Sequence, residues 1–557
     1  MSGQDHPDIE KLPDHLHGIP VKEAIRKLFQ DEENGTPDNI SKAGCLALAK
    51  LSNQLGAAQG KGYILWNTWR EAFPVCELQN PHPPKSLSDE YLMRYRYKNC
   101  ADFSNFNHEQ SGIDISSVLI GDFAFKDFEF GPYARFDEAN FGYLINFDGA
   151  LWGEGSTFFG TVFGMDSSFK NCQWGNNSRF DGSVWKGKAN FECASWGHSC
   201  SFIGATWGDF SKFHFAYWEF GVDFSDSTFG RETNFYGAQF EGKCLFEKVK
   251  FGPDVSFRSA PVGIQSFYET EHSDKSLKNI NRTKNQNVMS DFSFGGSAFD
   301  SVDFSGREFA GHTNFGYPSS RSGPKRISLK KDENNRLVFG RTGGLPEWEI
   351  ECSTATHLTS FTSPPIFHDC KIGQDFYIHP DVKFPIIHSD GLRAASAYRT
   401  LKLAFSKLQA VHEEQKFFRL EMRHEASQEQ GLKRLMYILY GEIADYGLSI
   451  SRPIIFLIIF PIVLSLLFYA FLIFIKQYIS NDYCQQIPAW WSWLTWSFFS
   501  SIPIPGLDVG KEIRNSFVQP GTFFQFISVF WEAIQKLLAF IGFFLTGLAV
   551  RNLFKLK

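Results

Sequence analysis

The sequence predicts an all-β, four-sided coiled stack with helical ends, joined to a C-terminal domain of two membrane-spanning helices. Three observations carry this. Phe recurs every eleven residues from Phe136 to Phe257, a second aromatic falls between each pair, and the last hundred residues hold long apolar runs without charge. The 557-residue chain has 60 Phe against 14 Trp and 18 Tyr, an excess no ordinary globular core needs. With 21% charged residues and a net charge of −6, most of the chain is expected to be folded in water, without a nucleic-acid binder's charge. Ten Cys in this length are too sparse for a disulfide scaffold, and the opening residues lack the pattern of a secretory signal. A reduced, cytoplasm-facing major part is expected.

Residues 1–100 read as a helical N-terminal region. Val21, Ala24, Ile25 and Leu28 lie on one helix face, and Ser41–Gln54 is a second helix before the Gly-rich break at Gly56–Gly62. Trp66–Pro74 closes the region, which is expected to cap the repeats downstream.

Residues 101–260 carry the repeat. The core series is Phe136, Phe147, Phe158, Phe169, Phe180, Phe191, Phe202, Phe213, Phe224, Phe235, Phe246 and Phe257, and every residue midway is Phe or Trp, from Phe141 and Trp152 to Phe251. The aromatic steps are therefore 5 and 6, a period of neither helix nor flat strand. A chain that turns a corner at each step does have this period. Four sides make 5 + 6 + 5 + 6 = 22 residues per coil. Stacked coils about 4.8 Å apart then bury a dry aromatic column. Two residues before each aromatic the side chain is mostly small, as at Ala150, Cys172, Ser183 and Ala205, and Gly often follows the second aromatic, as at Gly153, Gly164 and Gly175.

This pattern resembles the pentapeptide-repeat family, in a Phe-rich variant with alternating five- and six-residue steps. The resemblance implies a right-handed quadrilateral β-helix, a solenoid whose ends need caps. It resumes at 292–315, where Phe294, Phe299, Phe304, Phe309 and Phe315 step by 5, 5, 5 and 6. The family's functions are diverse, so the fold alone assigns none.

Between these stretches, 261–291 reads as a polar insertion, and 292–388 as further coils ending in a cap at Pro364–Phe376. The basic stretch with Arg321, Lys325, Arg326, Lys330 and Lys331 is a solvated loop or a membrane-surface contact. Residues 389–451 form a helical connector. Its seam of Ala394, Tyr398, Leu401, Phe405 and Leu408 packs on an oligomer partner or on the rod. This connector resembles the one in pentapeptide-repeat proteins that carry a C-terminal membrane domain.

Residues 452–557 form the membrane domain, with spans at about 454–475 and 530–552. Ile454–Ile475 is 22 residues without a charge, about 33 Å as a helix. Lys433, Arg434 and Arg452 precede the first span, and Arg551, Lys555 and Lys557 follow the second. The positive-inside rule then puts both termini and the β-helix in the cytoplasm of an inner or plasma membrane. On the second span Gln525, Ser528, Glu532, Gln535, Ala539, Gly542, Thr546 and Ala549 step by 3 and 4 along one face. This stripe is a close-packing seam or a pore lining, with Ser528, Glu532, Gln535, Ala539, Gly542 and Thr546 as the lining candidates. Lys536, at i+4 from Glu532, is a pairing partner in either case. The aromatic loop 487–507 is re-entrant or interfacial. In layout the domain resembles the pore domain of two-span ion channels, with Ser500, Ser501, Ile502, Pro503 and Asp508 as pore-loop candidates. The potassium filter TVGYG is absent.

Catalytic motifs are missing: the sequence has no P-loop, G-x-S-x-G, H-E-x-x-H or Rossmann fingerprint. Cys172, Cys200 and Cys244 fall on inward packing positions, and His368 and Cys370 lack the further partners a metal site needs. No enzyme, cofactor or metal is expected. Residues 103–257 hold 20 acidic and 11 basic side chains, a net of −9. That is acidic enough for a DNA mimic, but a membrane anchor fits such a role poorly, and no nucleic acid is expected. The expected partners are membrane lipid, further copies of the chain, and an unknown protein bound by the β-helix. The function expected is an ion-channel-like oligomeric pore with a cytoplasmic sensor or recruitment rod; the alternative is a membrane-anchored interaction scaffold.

Overall fold

The computed structural model describes residues 7–56, 61–77, 97–98, 101–103, 124–260, 287–318, 327–329, 348–350, 358–385, 391–478, 490–501, 509–517 and 523–555. They belong to two compact units, Met1–Pro385 and Ile386–Lys557.

In the first unit, short strands pair in parallel with partners 22 residues apart. Gln173 lies beside Leu151 and Ser195, and Val184 beside Val162 and Thr206. Two further lines of pairing run through Arg179 and Asn190, so each repeat contributes to four ladders. Inside them the aromatics stack in columns. Phe158 and Phe180 lie 4.6 Å apart, Phe169 and Phe191 4.7 Å, Trp174 and Trp196 4.8 Å, and Trp185 and Trp207 5.1 Å, each pair stacked with its ring planes nearly parallel. All twelve Phe of the series are fully buried.

The Gly after the second aromatic has a steric cause. A Cβ on Gly153 would sit 2.4 Å from Pro132 N, and one on Gly175 would sit 2.5 Å from Glu154 N. Neighbouring layers pass too closely there for any side chain.

Helices α1 (Val21–Leu28), α2 (Lys42–Gly56) and α3 (Ile64–Ala72) precede the stack. From α3, Trp66 reaches the rings of Phe103, Phe128 and Phe130 at 5.5–5.8 Å and donates its indole N–H to Glu129 O at 2.8 Å. The first aromatic layer is covered by this ring.

Three boundaries differ from the sequence reading. The stack resumes at Val288–Ser290, within the stretch read as a polar insertion, because Met289 pairs with Phe240 across the gap. Pro364–Phe376 continues the stack where a cap was expected: Phe367 stacks on Phe304 at 5.1 Å, and Phe376–Ile378 pairs with Thr313–Phe315. Within the basic stretch, Ile327–Leu329 pairs antiparallel with Trp348–Ile350. Its five cations and residues 261–286 lie outside the described residues.

Candidate functional site

The second unit opens with α4 (Gly391–Lys407) and α5 (Val411–Gln428), which fold back on each other at Gln409 (φ 57). The apolar seam of α4 packs on α5, with Phe405 and Phe417 stacked at 5.5 Å. Glu421, only 2% exposed, is held by Arg399 and Lys402, each at 2.6 Å. The seam is thus occupied by the next helix of the same chain, a partner the sequence reading did not consider. Helix α6 (Gly431–Ala444) comes next.

Four more helices build the candidate site: α7 (Ser451–Tyr478), α8 (Trp490–Ser500), α9 (Val509–Phe517) and α10 (Phe523–Lys555). Segments Ser451–Phe471 of α7 and Gln525–Asn552 of α10 are long and apolar enough to cross a membrane. The aromatic helix α8 lies against both. Trp493 and Trp496 pack on Phe468 of α7, and Trp531 of α10 meets the same ring at 5.2 Å. Ser497 is the polar link: its Oγ donates to Pro461 O of α7 at 2.8 Å and accepts from Gln535 Nε2 of α10 at 2.5 Å.

The polar stripe of α10 faces these neighbours. Glu532 is ion-paired to Arg514 of α9 at 2.7 Å and to Lys536 at 2.8 Å, and the Glu532 and Arg514 side chains are each only 7% exposed. Ser528 is buried and donates to Gln525 O at 2.9 Å; Gln535, Ala539 and Gly542 are buried. A Cβ on Gly542 would lie 2.6 Å from the Leu457 side chain, so α7 passes directly over it. Thr546 is half-buried and donates to Gly542 O at 2.8 Å. Of the loop candidates, Ser500 and Ser501 are buried, and Ser501 donates to Ser497 O at 2.7 Å. Ile502, Pro503 and Asp508 lie outside the described residues. The structure therefore gathers Glu532, Gln535, Ser497 and Arg514 at one seam. Sequence reasoning missed Ser497 and Arg514; a cation between two spans that carry a lone acid was the available signal.

With these ladders and columns established, one comparison identifies the repeat. The model for pentapeptide repeats (9 copies) matches residues 216–261. The chain carries pentapeptide repeats. Comparison with curated proteins and with solved structures finds no match.

The pentapeptide-repeat cysteines are packing residues. Cys172, Cys200 and Cys244 are buried, and burial pushes the Cys200 thiol up to about 12 and holds the other two well above the ordinary range. Cys370, on the same kind of position, donates to Phe304 O at 3.0 Å, while His368 is exposed beside Asp369. Among the described residues no group of three His, Cys, Asp or Glu is placed to hold a metal ion.

Proposed function

We propose that this chain is an integral membrane protein that anchors a right-handed, four-sided pentapeptide-repeat rod to the membrane as an interaction scaffold. One observation carries this reading. The polar stripe of α10 is taken up inside a single chain by Arg514, Lys536, Ser497 and Leu457, while the remaining α10 surface is Phe-rich and apolar. Such a helix offers lipid an apolar face and keeps its polar groups for its own neighbours. The cations before α7 and after α10 support a cytoplasmic side for both termini and the rod. The acidic rod surface then faces a protein partner.

Single cysteines at positions 539, 542 and 546, with the native cysteines replaced, test this. The scaffold reading expects all three to resist a small charged thiol reagent in the membrane, because a thiol reacts only where water can ionise it. Reaction at all three, with their neighbours at 540, 541 and 544 protected, would overturn it.

A second reading, an oligomeric channel-like pore, is favoured by the seat of α8 against both spans. It is also favoured by two buried polar atoms, Ser500 Oγ and Gln535 Oε1, which have no hydrogen-bond partner among the described residues. Each costs about 1–3 kcal/mol when it is left dry. Conductance across a planar bilayer, abolished by a bulky residue at Ser500, would establish this reading over the first.

A further inference from the structure

Helix α6 is built inside out. Leu432, Leu435, Met436, Leu439 and Ile443 fall at i, i+3, i+4, i+7 and i+11, one narrow apolar face. In a helix folded onto a soluble core this face would be covered. Here Leu432 is 74% exposed and Met436 62%, and Leu435 and Leu439 are also open, while Ala444 is the one buried residue of the helix.

The opposite side is the one that meets protein. Tyr437 OH donates to Glu425 of α5 at 3.5 Å. Gly441 has no room for a Cβ because the Tyr446 ring lies 2.8 Å away, and Tyr440 meets that ring edge-on and donates to Tyr446 O at 2.9 Å.

Three further observations point to what covers the apolar face. The helix is tied to the ends of both candidate spans: Asn552 of α10 donates to Gly447 O at 2.9 Å, and Arg452 of α7 approaches Gly441 O at 3.5 Å. The open apolar surface runs on into α7 through the exposed Ile454, Ile455 and Ile458. Cations gather at this level: Lys433 and Arg434 on α6, and the exposed Arg452 and Arg551 at the span ends. The acids nearby are partly engaged already, Glu429 by Lys433 and Asp445 by Arg419; Glu442 is exposed.

We propose that α6 is an interfacial helix whose apolar face lies at the headgroup–acyl boundary of an anionic bilayer surface. This rests on the reading of α7 and α10 as spans. Arg452 and Arg551 at the span ends supply the cations that meet lipid phosphate, and the Leu and Met side chains enter the acyl layer. The hairpin α4–α5 is thereby held at the membrane surface by a helix lying in it.

Spin labels in the full-length chain, reconstituted in vesicles of three parts zwitterionic to one part anionic lipid, test the proposal. Labels go singly at 432, 436 and 439, at 433 on the other side, and at 540 on α10, with native cysteines replaced. The expected result is relaxation by oxygen several-fold stronger than by a water-soluble nickel chelate at 432, 436 and 439, and the reverse at 433. Lipid exposure should deepen at 436 as the anionic fraction rises. Nickel access at 436 and 439 while 540 stays in lipid overturns the interfacial helix alone. Nickel access at 540 as well overturns the spanning reading beneath it. Shielding of 436 and 439 from both reagents means a second copy covers the face, and also overturns the proposal.

Should the cysteine-replaced chain fail to fold, the unmodified chain gives the same answer. A photoactivatable group placed high on the acyl chain of a lipid should mark peptide 431–444. Marking confined to α7 and α10 would refute the proposal.

Discussion

The side chain two residues before each core aromatic does more than leave room. Thr161, Cys172, Ser183 and Ser227 donate from that position to the carbonyls of Phe136, Phe147, Phe158 and Phe202, each 25 residues back, at 2.5–2.9 Å. Arg307 occupies the same position before Phe309; fully buried, it donates to the carbonyls of Phe257, Ala238 and Phe235. It serves the Phe257 carbonyl across the gap at 261–286, where a short hydroxyl serves elsewhere. Ser183→Ala should therefore cost about 1 kcal/mol, the net value of one such bond. Phe191→Ala, which empties a column, should cost about 3–5 kcal/mol. Urea midpoints of the two variants check the ratio. The buried thiols add a pH dependence. Burial raises Cys200 and Cys370 to about 12 from the ordinary 9, so their contribution is fully present below pH 9 and is lost as pH rises toward 12. Each thiol should remove up to about 1.4 kcal/mol per pH unit above 9. Cys200→Ser should flatten that slope in denaturation curves taken between pH 8 and 11; an unchanged slope would refute the assignment.

Elements were legible in the sequence to different degrees, for physical reasons. The coil period could be read because each layer repeats the same steric problem, so Phe136 to Phe257 carry one signal many times over. The seam between α7, α8 and α10 could be read only in part. The 3,4 spacing of Ser528 to Thr546 marks a face, but one chain's spacing does not say whether helix or water meets it. Leu457 over Gly542 and Ser497 under Gln535 are contacts between segments far apart in sequence. The same limit hid α5 as the partner of the α4 seam. Gly542→Val should overpack the α7–α10 contact and cost about 1–3 kcal/mol. In detergent this should lower the thermal midpoint of the full chain, whereas Gly547→Val, which meets nothing within 4 Å, should leave it in place.

At the scale of the whole molecule, the division at Pro385 and Ile386 separates the unit of parallel ladders from one with long apolar helices. A fragment of residues 1–385 should therefore be soluble without detergent and show a β-type circular dichroism spectrum. Aggregation, or a mainly helical spectrum, would contradict the parallel ladders. The columns have a further consequence. Phe251 stacks on Phe299 at 4.5 Å across the 26 residues of 261–286, and within the regular coils Trp174 stacks on Trp196 at 4.8 Å across 22 residues. Phe299 likewise stacks on Phe361 at 5.0 Å, 62 residues on, so chain length between layers varies at two places, while from Phe136 to Phe257 each layer takes 22 residues. Removing one whole repeat would shorten the stack by a single ring thickness and leave every column in phase, whereas removing a few residues from a coil would put all four out of phase together. The regular coils are in this sense a graduated ruler, one whose length evolves by whole divisions.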